Sequence, residues 1–472
     1  MKKYLALIIL FATVAFLPSC KKWLEHEPDG VILSEDALKT PEDMQRLLNS
    51  CYDVLGNIFD GRVQNIAELL SNNLDQPLNH LELTAVYDRE VTFFNTTTNN
   101  VYTDLYRAVY RCNTLLANFD LIEGLGESER TRMEAEARFI RGLCHWWVLK
   151  LWAQPWGYTA DNSHLGIVLR TEPKQEPLPR STVKESYDFI VDDLVFAENN
   201  LPASNDVYAT RNAAQALLTY VSFQKWDYSG AFFYADQVIN SGAFSLEPSL
   251  DSYHAMDSVL QFQSNPETIF GVVSYYSLEE SIVDVRNENF RDNYWPATAG
   301  AQLGLSDDFW NFINLNPADN RISEWILDES GQYQVLRFGN DDEQTYFFSV
   351  PVLRLTHMKL IRAESLAQLT DQKEIAIADI NDIRDRAFGE GINNLPTDAT
   401  FEEVKQAARD EFRKETVCEG LWQDQLKRMG AMGEDITVRD APWNCPGMAI
   451  QFPNSEGTGV QFVFNEEGGC QQ

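Results

Sequence analysis

Residues 211–240 read RNAAQALLTYVSFQKWDYSGAFFYADQVIN, and this stretch decides the fold. Small and apolar side chains recur at three-to-four spacing up to Phe223 and again from Ala231 to Ile239, which is the spacing of one helix face. Trp226-Asp227-Tyr228 interrupts the pattern and supplies a turn. Because the alanines let two helices pack closely side by side, the stretch predicts a helical hairpin.

A second hairpin pattern follows at about residues 352–388. Leu360, Ala363 and Leu366 fall on one predicted helix, and Ala376 and Ile380 fall on the next. Both pairs are similar to tetratricopeptide hairpins, and their recurrence favours an internal helical repeat. We therefore predict a mainly α fold, in which tetratricopeptide-like hairpins form the scaffold and a loop-rich lobe carries a few short strands.

A long apolar helix is predicted at about 127–153, and it ends at Pro155-Trp156-Gly157. We assign its tryptophans, Trp146, Trp147 and Trp152, to the core. Farther along, Thr182 and Glu185 have the spacing of a capping box, which marks the start of another helix.

Two segments, at about 71–100 and 245–350, lose helical periodicity and are rich in turn residues and aromatics. We expect the first to be a loop, with a helix following from about residue 101. Irregular insertions this long within a compact protein are usually functional. We predict that residues 41–472 form a single domain with these two loop-rich insertions.

The N-terminus has the features of an export signal. A basic start, Lys2-Lys3, precedes the apolar run Leu5–Leu17, which at about 13 residues is too short to span a bilayer as a helix. Cys20 directly after the run resembles the acylated cysteine of a bacterial lipoprotein. We predict a signal peptide at 1–19, lipidation of Cys20 and a tether at 20–40. Ordinary signal cleavage, with Cys20 incidental, is the alternative.

The overall charge is strongly acidic, with 71 Asp and Glu against 38 Lys and Arg and a formal net charge of −33. Such a chain repels nucleic acid and anionic lipid headgroups. The other six cysteines contain no CxxC pair, so no zinc or thioredoxin-type spacing is present. Cys445 and Cys470 could close a C-terminal loop, but buried free thiols are an equally good interpretation.

Several collinear motifs resemble one protein family. AEARFIRG at 135–142, RSTV at 180–183 with YDFI at 187–190, and PVLRL at 351–355 with LIRAES at 360–365 are similar to motifs of the SusD/RagB family of outer-membrane nutrient-binding lipoproteins. The resemblance spans essentially the whole mature chain. It implies a cell-surface, lipid-anchored outer-membrane protein that captures oligosaccharide and delivers it to a SusC-like TonB-dependent transporter.

Binding a sugar requires flat aromatic side chains for the C–H face of the ring and planar polar groups for its hydroxyls. Residues with these properties lie in the two irregular segments. The candidates are Asn72, Asn73, Asp75, Tyr87 and Phe94 in the first segment, and Tyr276, Tyr294, Trp295 and Trp310 in the second. The aromatic candidates could instead be core residues, and the two asparagines could be turn residues.

We predict no catalytic residue, metal site or cofactor. The chain has no GxSxG, HExxH or GxxxxGK motif, and its histidines do not fall at metal-ligand spacing. Asp341–Glu343 could bind Ca²⁺, but the sequence favours an acidic solvated turn. Two alternatives to glycan capture stay open: a helical scaffold that binds only protein partners, and a glycan-cleaving lipoprotein with a carboxylate pair.

Overall fold

A computed structural model describes most of the chain. The described residues are 38–250, 266–272, 275–277, 282–284, 288–294, 302–329, 331–337, 350–458 and 462–470. The predicted signal segment and Cys20 lie outside them, as do Trp295 and the acidic turn Asp341–Glu343. Among the described residues, no helix is both long enough and apolar enough to cross a membrane.

The first half of the chain is built of helices. They are α1 (Pro41–Ile58), α2 (Arg62–Leu69), α3 (Leu81–Tyr87), α4 (Thr96–Asn118), α5 (Glu127–Trp152), α6 (Val183–Asn200), α7 (Arg211–Gln224) and α8 (Tyr228–Asn240). Helix α5 packs against both α4 and α6. Trp146, Trp147 and Trp152 on α5 are buried, as predicted for core residues.

The predicted hairpin at 211–240 is confirmed as helices α7 and α8. Ala213 and Ala214 are fully buried where the two helices pack together. Trp226 adopts a left-handed conformation with φ 64°, and Asp227 caps α8 by accepting a hydrogen bond from the Gly230 amide at 2.9 Å. The Trp226 ring lies over Gly157, where an added Cβ atom would come within 2.2 Å of it. The turn therefore needs glycine at 157.

The second half supplies further helices. They are α9 (Glu288–Tyr294), α10 (Asp307–Ile313), α11 (Asn320–Trp325), α12 (Leu355–Leu369), α13 (Lys373–Phe388), α14 (Phe401–Glu415) and α15 (Trp422–Ala431). The second predicted hairpin is confirmed as α12 and α13, and α12 packs directly on α8 of the first hairpin. Arg362 joins the two hairpins, since it pairs with Asp379 at 2.7 Å and with Asp236 at 2.7 Å.

The strands of the described residues are short and form two-stranded antiparallel pairs. They are β1 (Thr268–Val272) with β6 (Val350–Arg354), β2 (Tyr275–Ser277) with β3 (Ile282–Asp284), β4 (Ile326–Asp328) with β5 (Tyr333–Val335), and β7 (Thr437–Val438) with β8 (Ala441–Pro442). The fold is thus mainly helical with a few short strands, as predicted. A disulfide joins Cys445 to Cys470, whereas Cys51, Cys112, Cys144 and Cys418 are buried free thiols.

The boundaries predicted for the first irregular segment were wrong at two points. Helix α3 lies inside it, and α4 begins at Thr96 rather than near residue 101. The side chain of Asn95 accepts a hydrogen bond from the Thr98 amide at 3.0 Å, so the Asn- and Thr-rich stretch begins a helix. Asparagine and threonine serve both turns and helix N-caps, and the sequence alone favoured the turn.

A cluster of buried charges holds the second half together. The guanidinium of Arg321 on α11 pairs with Asp319 at 2.7 Å, with Glu411 at 2.7 Å and with Glu415 at 2.9 Å. All four side chains are fully buried. Because the two glutamates lie on α14, this cluster fixes the short helix α11 against the helical scaffold.

The predicted capping box at the start of α6 is present, and its removal should be measurable. The Thr182 side chain accepts from the Glu185 amide at 3.1 Å, and the Glu185 carboxylate accepts from the Thr182 amide at 2.8 Å. We expect Thr182→Ala to lower the free energy of unfolding by about 1 kcal/mol, as measured by urea denaturation. Thr103→Ala, at an exposed position inside α4, should change it by less than about 0.5 kcal/mol; equal losses would contradict the capping role.

Candidate functional site

The two irregular segments predicted to carry the ligand meet in space. The Asp75 amide donates to the Gly304 carbonyl at 3.0 Å, and the Leu78 amide donates to the Gln302 carbonyl at 2.9 Å. Residues 73–78 and 302–306 therefore run side by side, with an antiparallel bridge between Leu74 and Leu305.

A third stretch of chain, around Tyr333 and within the same predicted 245–350 segment, completes the arrangement. The Leu305 amide donates to the carbonyl of Tyr333 on β5 at 2.7 Å, and the two residues form a second antiparallel bridge. Leu305 thus lies between two neighbours distant in sequence, Leu74 and Tyr333. The sequence analysis did not single out the segment around Tyr333.

These three segments, together with α3, enclose a cleft of about 380 Å³. A volume of this size is in the range of small-molecule binding sites. It is lined by Asp75, Gln76, Leu78, Tyr87, Gln302, Leu303, Gly304, Leu305, Gly331, Gln332, Tyr333 and Gln334.

An aromatic stack forms one side of the cleft. The rings of Tyr333 and Trp310 lie with centroids 4.3 Å apart and an interplanar angle of 12°. Trp310 is on α10, whose N-cap residue is Ser306. The Ser306 hydroxyl accepts from the Phe309 amide at 3.1 Å and donates to the Asn72 carbonyl at 2.7 Å. The cap of α10 therefore fixes the stack relative to the first segment.

Amide side chains on the cleft wall have unused hydrogen-bonding capacity. The Oε1 atoms of Gln302 and Gln334 are buried, and neither has a hydrogen-bond partner within the described part of the chain. A buried polar atom without a partner is costly. Because both glutamines line the cleft, a rotation of either side-chain amide would offer this oxygen to a ligand hydroxyl. Asp75 adds a carboxylate, whose pKa is raised by partial burial and by the nearby Asp307.

The opposite wall is held by an arginine that the sequence analysis did not identify. Arg439 lies in the two-residue turn between β7 and β8, where Arg439 and Asp440 both have positive φ, as in a type I′ hairpin. Its guanidinium lies 4.1 Å from the Tyr87 ring centroid and donates to the carbonyls of Leu69 at 3.1 Å and Tyr87 at 2.6 Å. Burial lowers the pKa of Arg439 to about 10.

A hydrogen-bond network that is buried at Glu68 and Asn73 and exposed at Asp308 anchors the first segment. Asn73 donates to Glu68 Oε1 at 2.6 Å and accepts from Arg413 Nε at 2.8 Å. Arg413 also donates to Asp308 Oδ2 at 2.6 Å, which accepts from Asn72 at 2.9 Å as well. The network joins the first segment to α10 and α14, so it positions the floor of the cleft.

The predicted ligand residues divide into three groups. Asp75 and Tyr87 line the cleft, and Trp310 supports it through Tyr333. The side chains of Asn72 and Asn73 make hydrogen bonds to other side chains of the protein, and Asn73 is fully buried. These two asparagines act as positioning residues, because their polar atoms are already occupied by side chains of other elements.

The remaining candidates are not among the described residues that line the cleft. Tyr294 is 1% exposed and its ring packs on Phe290, so its prediction as a ligand contact was wrong. Phe94 is 71% exposed but is absent from the cleft lining. Tyr276 lies on β2, with its side chain outside the described part of the structure, and Trp295 is outside it altogether.

The sequence analysis missed one group of lining residues and one supporting residue, Arg439, that is not itself in the lining. Gly331-Gln332-Tyr333-Gln334 has the same mixture of amide and aromatic side chains that marked the other segments, so its composition could have identified it. Arg439 gave no such signal, because its role comes from the hairpin that carries it.

The fold and the cleft define a class: a helical-hairpin scaffold that presents a loop-built, aromatic and amide-lined ligand cleft. One family model, described as starch-binding and associating with the outer membrane, matches residues 22–222, and the SusD family model matches residues 316–446. The chain belongs to the SusD/RagB family.

Curated relatives are distant. A SusD-like protein of Formosa agariphila is 24% identical over 243 residues, covering 48% of this chain and 44% of the relative. Another from the same organism is 22% identical over 480 residues, covering 90% of this chain and 92% of the relative. The chain spans about half the length of the first two relatives it matches, 44% and 50%.

Solved structures share the fold. A SusD superfamily protein from Bacteroides thetaiotaomicron has a TM-score of 0.74 at 21% identity, covering 91% of this chain and 100% of its own. A SusD superfamily protein from Bacteroides vulgatus has a TM-score of 0.77 at 19% identity, covering 91% and 99%. A laminarin-binding SusD-like protein has a TM-score of 0.70 at 17% identity, also covering 91% and 99%.

Proposed function

We propose that this protein captures a glycan in the cleft between α3, residues 302–305 and β5. The observation that carries the proposal is the Tyr333–Trp310 stack beside two buried amide oxygens that have no partner in the described part of the chain. A pyranose has an apolar C–H face and a fringe of hydroxyls, and these two features of the cleft are complementary to them.

The size and charge of the cleft fit a short stretch of sugar chain. A volume of about 380 Å³ is near the low end for ligand sites, so the cleft holds only part of an oligosaccharide. Asp75 is the residue of the lining that adds a negative charge. Its carboxylate can accept hydrogen bonds from sugar hydroxyls, and its charge disfavours anionic ligands. The family description as starch-binding and the laminarin-binding neighbour support a glucan-type ligand.

The cellular setting is part of the same proposal. Lipidation of Cys20 would anchor the chain in the outer membrane, and captured oligosaccharide would pass to a TonB-dependent transporter. The family description, which associates its members with the outer membrane, supports this setting. A Cys20→Ser variant should no longer incorporate labelled palmitate and should no longer be recovered in the membrane fraction. The transporter should co-purify with the anchored wild-type protein.

The test of capture is calorimetry against starch- and laminarin-derived oligosaccharides. We expect Tyr333→Ala to weaken the affinity about 30-fold, or about 2 kcal/mol, because it removes the aromatic face of the cleft. The backbone bond from Leu305 to residue 333 remains in this variant.

Tyr158→Ala is the matched control, since Tyr158 is 42% exposed and lines no part of the cleft. Its affinity should equal that of the wild type. Equal affinities for all three proteins would refute the cleft as the site, and release of shorter products from bound oligosaccharide would identify an enzyme instead.

A further inference from the structure

A second concave site lies on helix α4, away from the cleft. This tyrosine groove is bounded by α4, by residues 170–177 and by residues 455–458, and it has a volume of about 370 Å³. It shares no lining residue with the cleft. Nothing in the proposed function uses it.

Three tyrosines at four-residue spacing line the groove. Tyr102, Tyr106 and Tyr110 lie on one face of α4, and their exposure increases from 3% and 8% to 37%. The Tyr102 and Tyr106 ring centroids are 4.6 Å apart, and the Tyr106 hydroxyl donates to the Val168 carbonyl at 2.7 Å. The groove therefore has a fixed aromatic floor and an accessible tyrosine at its rim.

The charged groups of the groove are paired with one another. Arg170 pairs with Glu456 at 3.1 Å, and Glu456 also accepts from the Tyr102 hydroxyl at 3.0 Å. At the rim, Arg107 pairs with Asp104 at 2.6 Å, and Lys174 pairs with Glu172. Because each cation has a carboxylate beside it, the groove offers polar contacts without an excess of positive charge. This balance favours a neutral ligand.

The wall formed by residues 455–458 follows shortly after Gln451 and Phe452, which are held in place from several directions, and Glu456 of the wall pairs with Arg170. The Phe452 ring lies 5.8 Å from the Tyr102 ring and 4.6 Å from the Arg180 guanidinium. Gln451 donates to the Asn465 carbonyl at 2.6 Å, and Asn465 donates to the Trp152 carbonyl at 2.9 Å. A pre-organised wall loses little freedom on binding, which favours affinity.

We propose that the tyrosine groove is a second binding site for a neutral pyranose, contacted by Tyr110 and Arg107 at the rim and by Arg170 below. This inference rests on the proposed function, since it takes the ligand to be another part of the same polysaccharide. Two sites on one protein bind a long chain with avidity that short oligosaccharides do not reveal.

The experiment compares retention on immobilised starch and laminarin with calorimetry on their short oligosaccharides. Tyr110→Ala should reduce retention on the polysaccharide that binds wild-type protein by about tenfold. Tyr333→Ala should keep a weak residual binding that the double variant Tyr333→Ala/Tyr110→Ala loses. Arg107→Ala, which changes another rim residue, should reduce retention in the same direction as Tyr110→Ala.

The controls separate the two proposals. Tyr158→Ala should be retained like the wild type, and thermal melting should show that Tyr110→Ala is folded. If Tyr110→Ala and Arg107→Ala are retained as well as the wild type while Tyr333→Ala is not, the second site is refuted and capture in the cleft stands. If wild-type protein is retained on neither polysaccharide, both proposals fail. Retention on immobilised polygalacturonate that Tyr110→Ala abolishes would refute the neutral ligand.

Discussion

Arg321→Met is expected to lower the free energy of unfolding by about 3–5 kcal/mol, the largest effect of any single change considered for this protein. The substitution keeps much of the volume but leaves the carboxylates of Asp319, Glu411 and Glu415 buried without the guanidinium that all three contact. Burial alone would raise the pKa of Glu411, but Arg321, together with Lys414 and Arg384, lowers it to about 2.

Urea denaturation at pH 7 measures this effect, and Arg46→Met is its control. Arg46 also pairs with an aspartate, Asp43, at 2.5 Å, but its side chain is 71% exposed. An exposed pair contributes roughly 0–1 kcal/mol, so the control should be nearly neutral. Similar losses in the two variants would contradict the role given to the buried cluster.

The cluster also predicts an acid response. The pKa of Glu411 is about 2 in the folded protein against an ordinary value of 4.5, so its stabilising contribution is complete above pH 4.5 and is lost as the pH falls towards 2. In Arg321→Met the part of this contribution that Arg321 supplies is missing at neutral pH, while Lys414 and Arg384 remain beside Glu411. The difference in stability between wild type and variant should therefore shrink as the pH falls from 4.5 to 2.

The second large effect concerns Glu68, beneath the cleft. Burial raises its pKa to about 7, even though Asn73 and the Gly420 amide donate hydrogen bonds to its carboxylate. The folded protein therefore holds this proton up to about pH 7, whereas the unfolded chain releases it near 4.5. The contribution to stability is present below pH 4.5 and is lost as the pH rises through 7, with a size on the order of 3 kcal/mol.

Glu68→Gln removes the titrating group, so the comparison isolates its contribution. The difference in unfolding free energy between wild type and Glu68→Gln should change by about 2–3 kcal/mol between pH 5 and pH 8, in favour of the wild type at pH 5. Ser71→Ala is the control. It removes a hydroxyl that contacts Glu68 but keeps the carboxyl group, so its difference from the wild type should vary little with pH. A pH-independent difference for Glu68→Gln would contradict the raised pKa.

The scaffold was predictable because its determinants are local. The spacing of small residues in 211–240 and the Thr182–Glu185 pair depend on neighbours three or four positions away. The predicted core positions of Trp146 and Trp147 follow from the same helical period. In each case the structure has the predicted element, because the residues that form the sequence pattern lie close together on the one helix that they specify.

The cleft was predictable only in part, because long-range pairing creates it. Asn72 and Ser306 are 234 residues apart in sequence and share a hydrogen bond. No local pattern indicates that Leu305 lies between Leu74 and Tyr333. An aromatic ring in a turn-rich segment can also pack inward, as Tyr294 does, or point to solvent, as Phe94 does. Composition indicated segments that border the cleft but could not indicate which of their side chains line it.

The dependence of the cleft on distant segments has a consequence for the newly made protein. Helices α1 to α8 can pair in the order in which they leave the ribosome. The cleft cannot form at that stage, because Leu74 pairs with Leu305 and Tyr87 contacts Arg439, which is 352 residues later in the chain. We therefore expect translation to yield a helical chain in which the cleft is incomplete until the ribosome has passed position 439. A transcript cut short before position 439 should give a product that retains helix but does not bind.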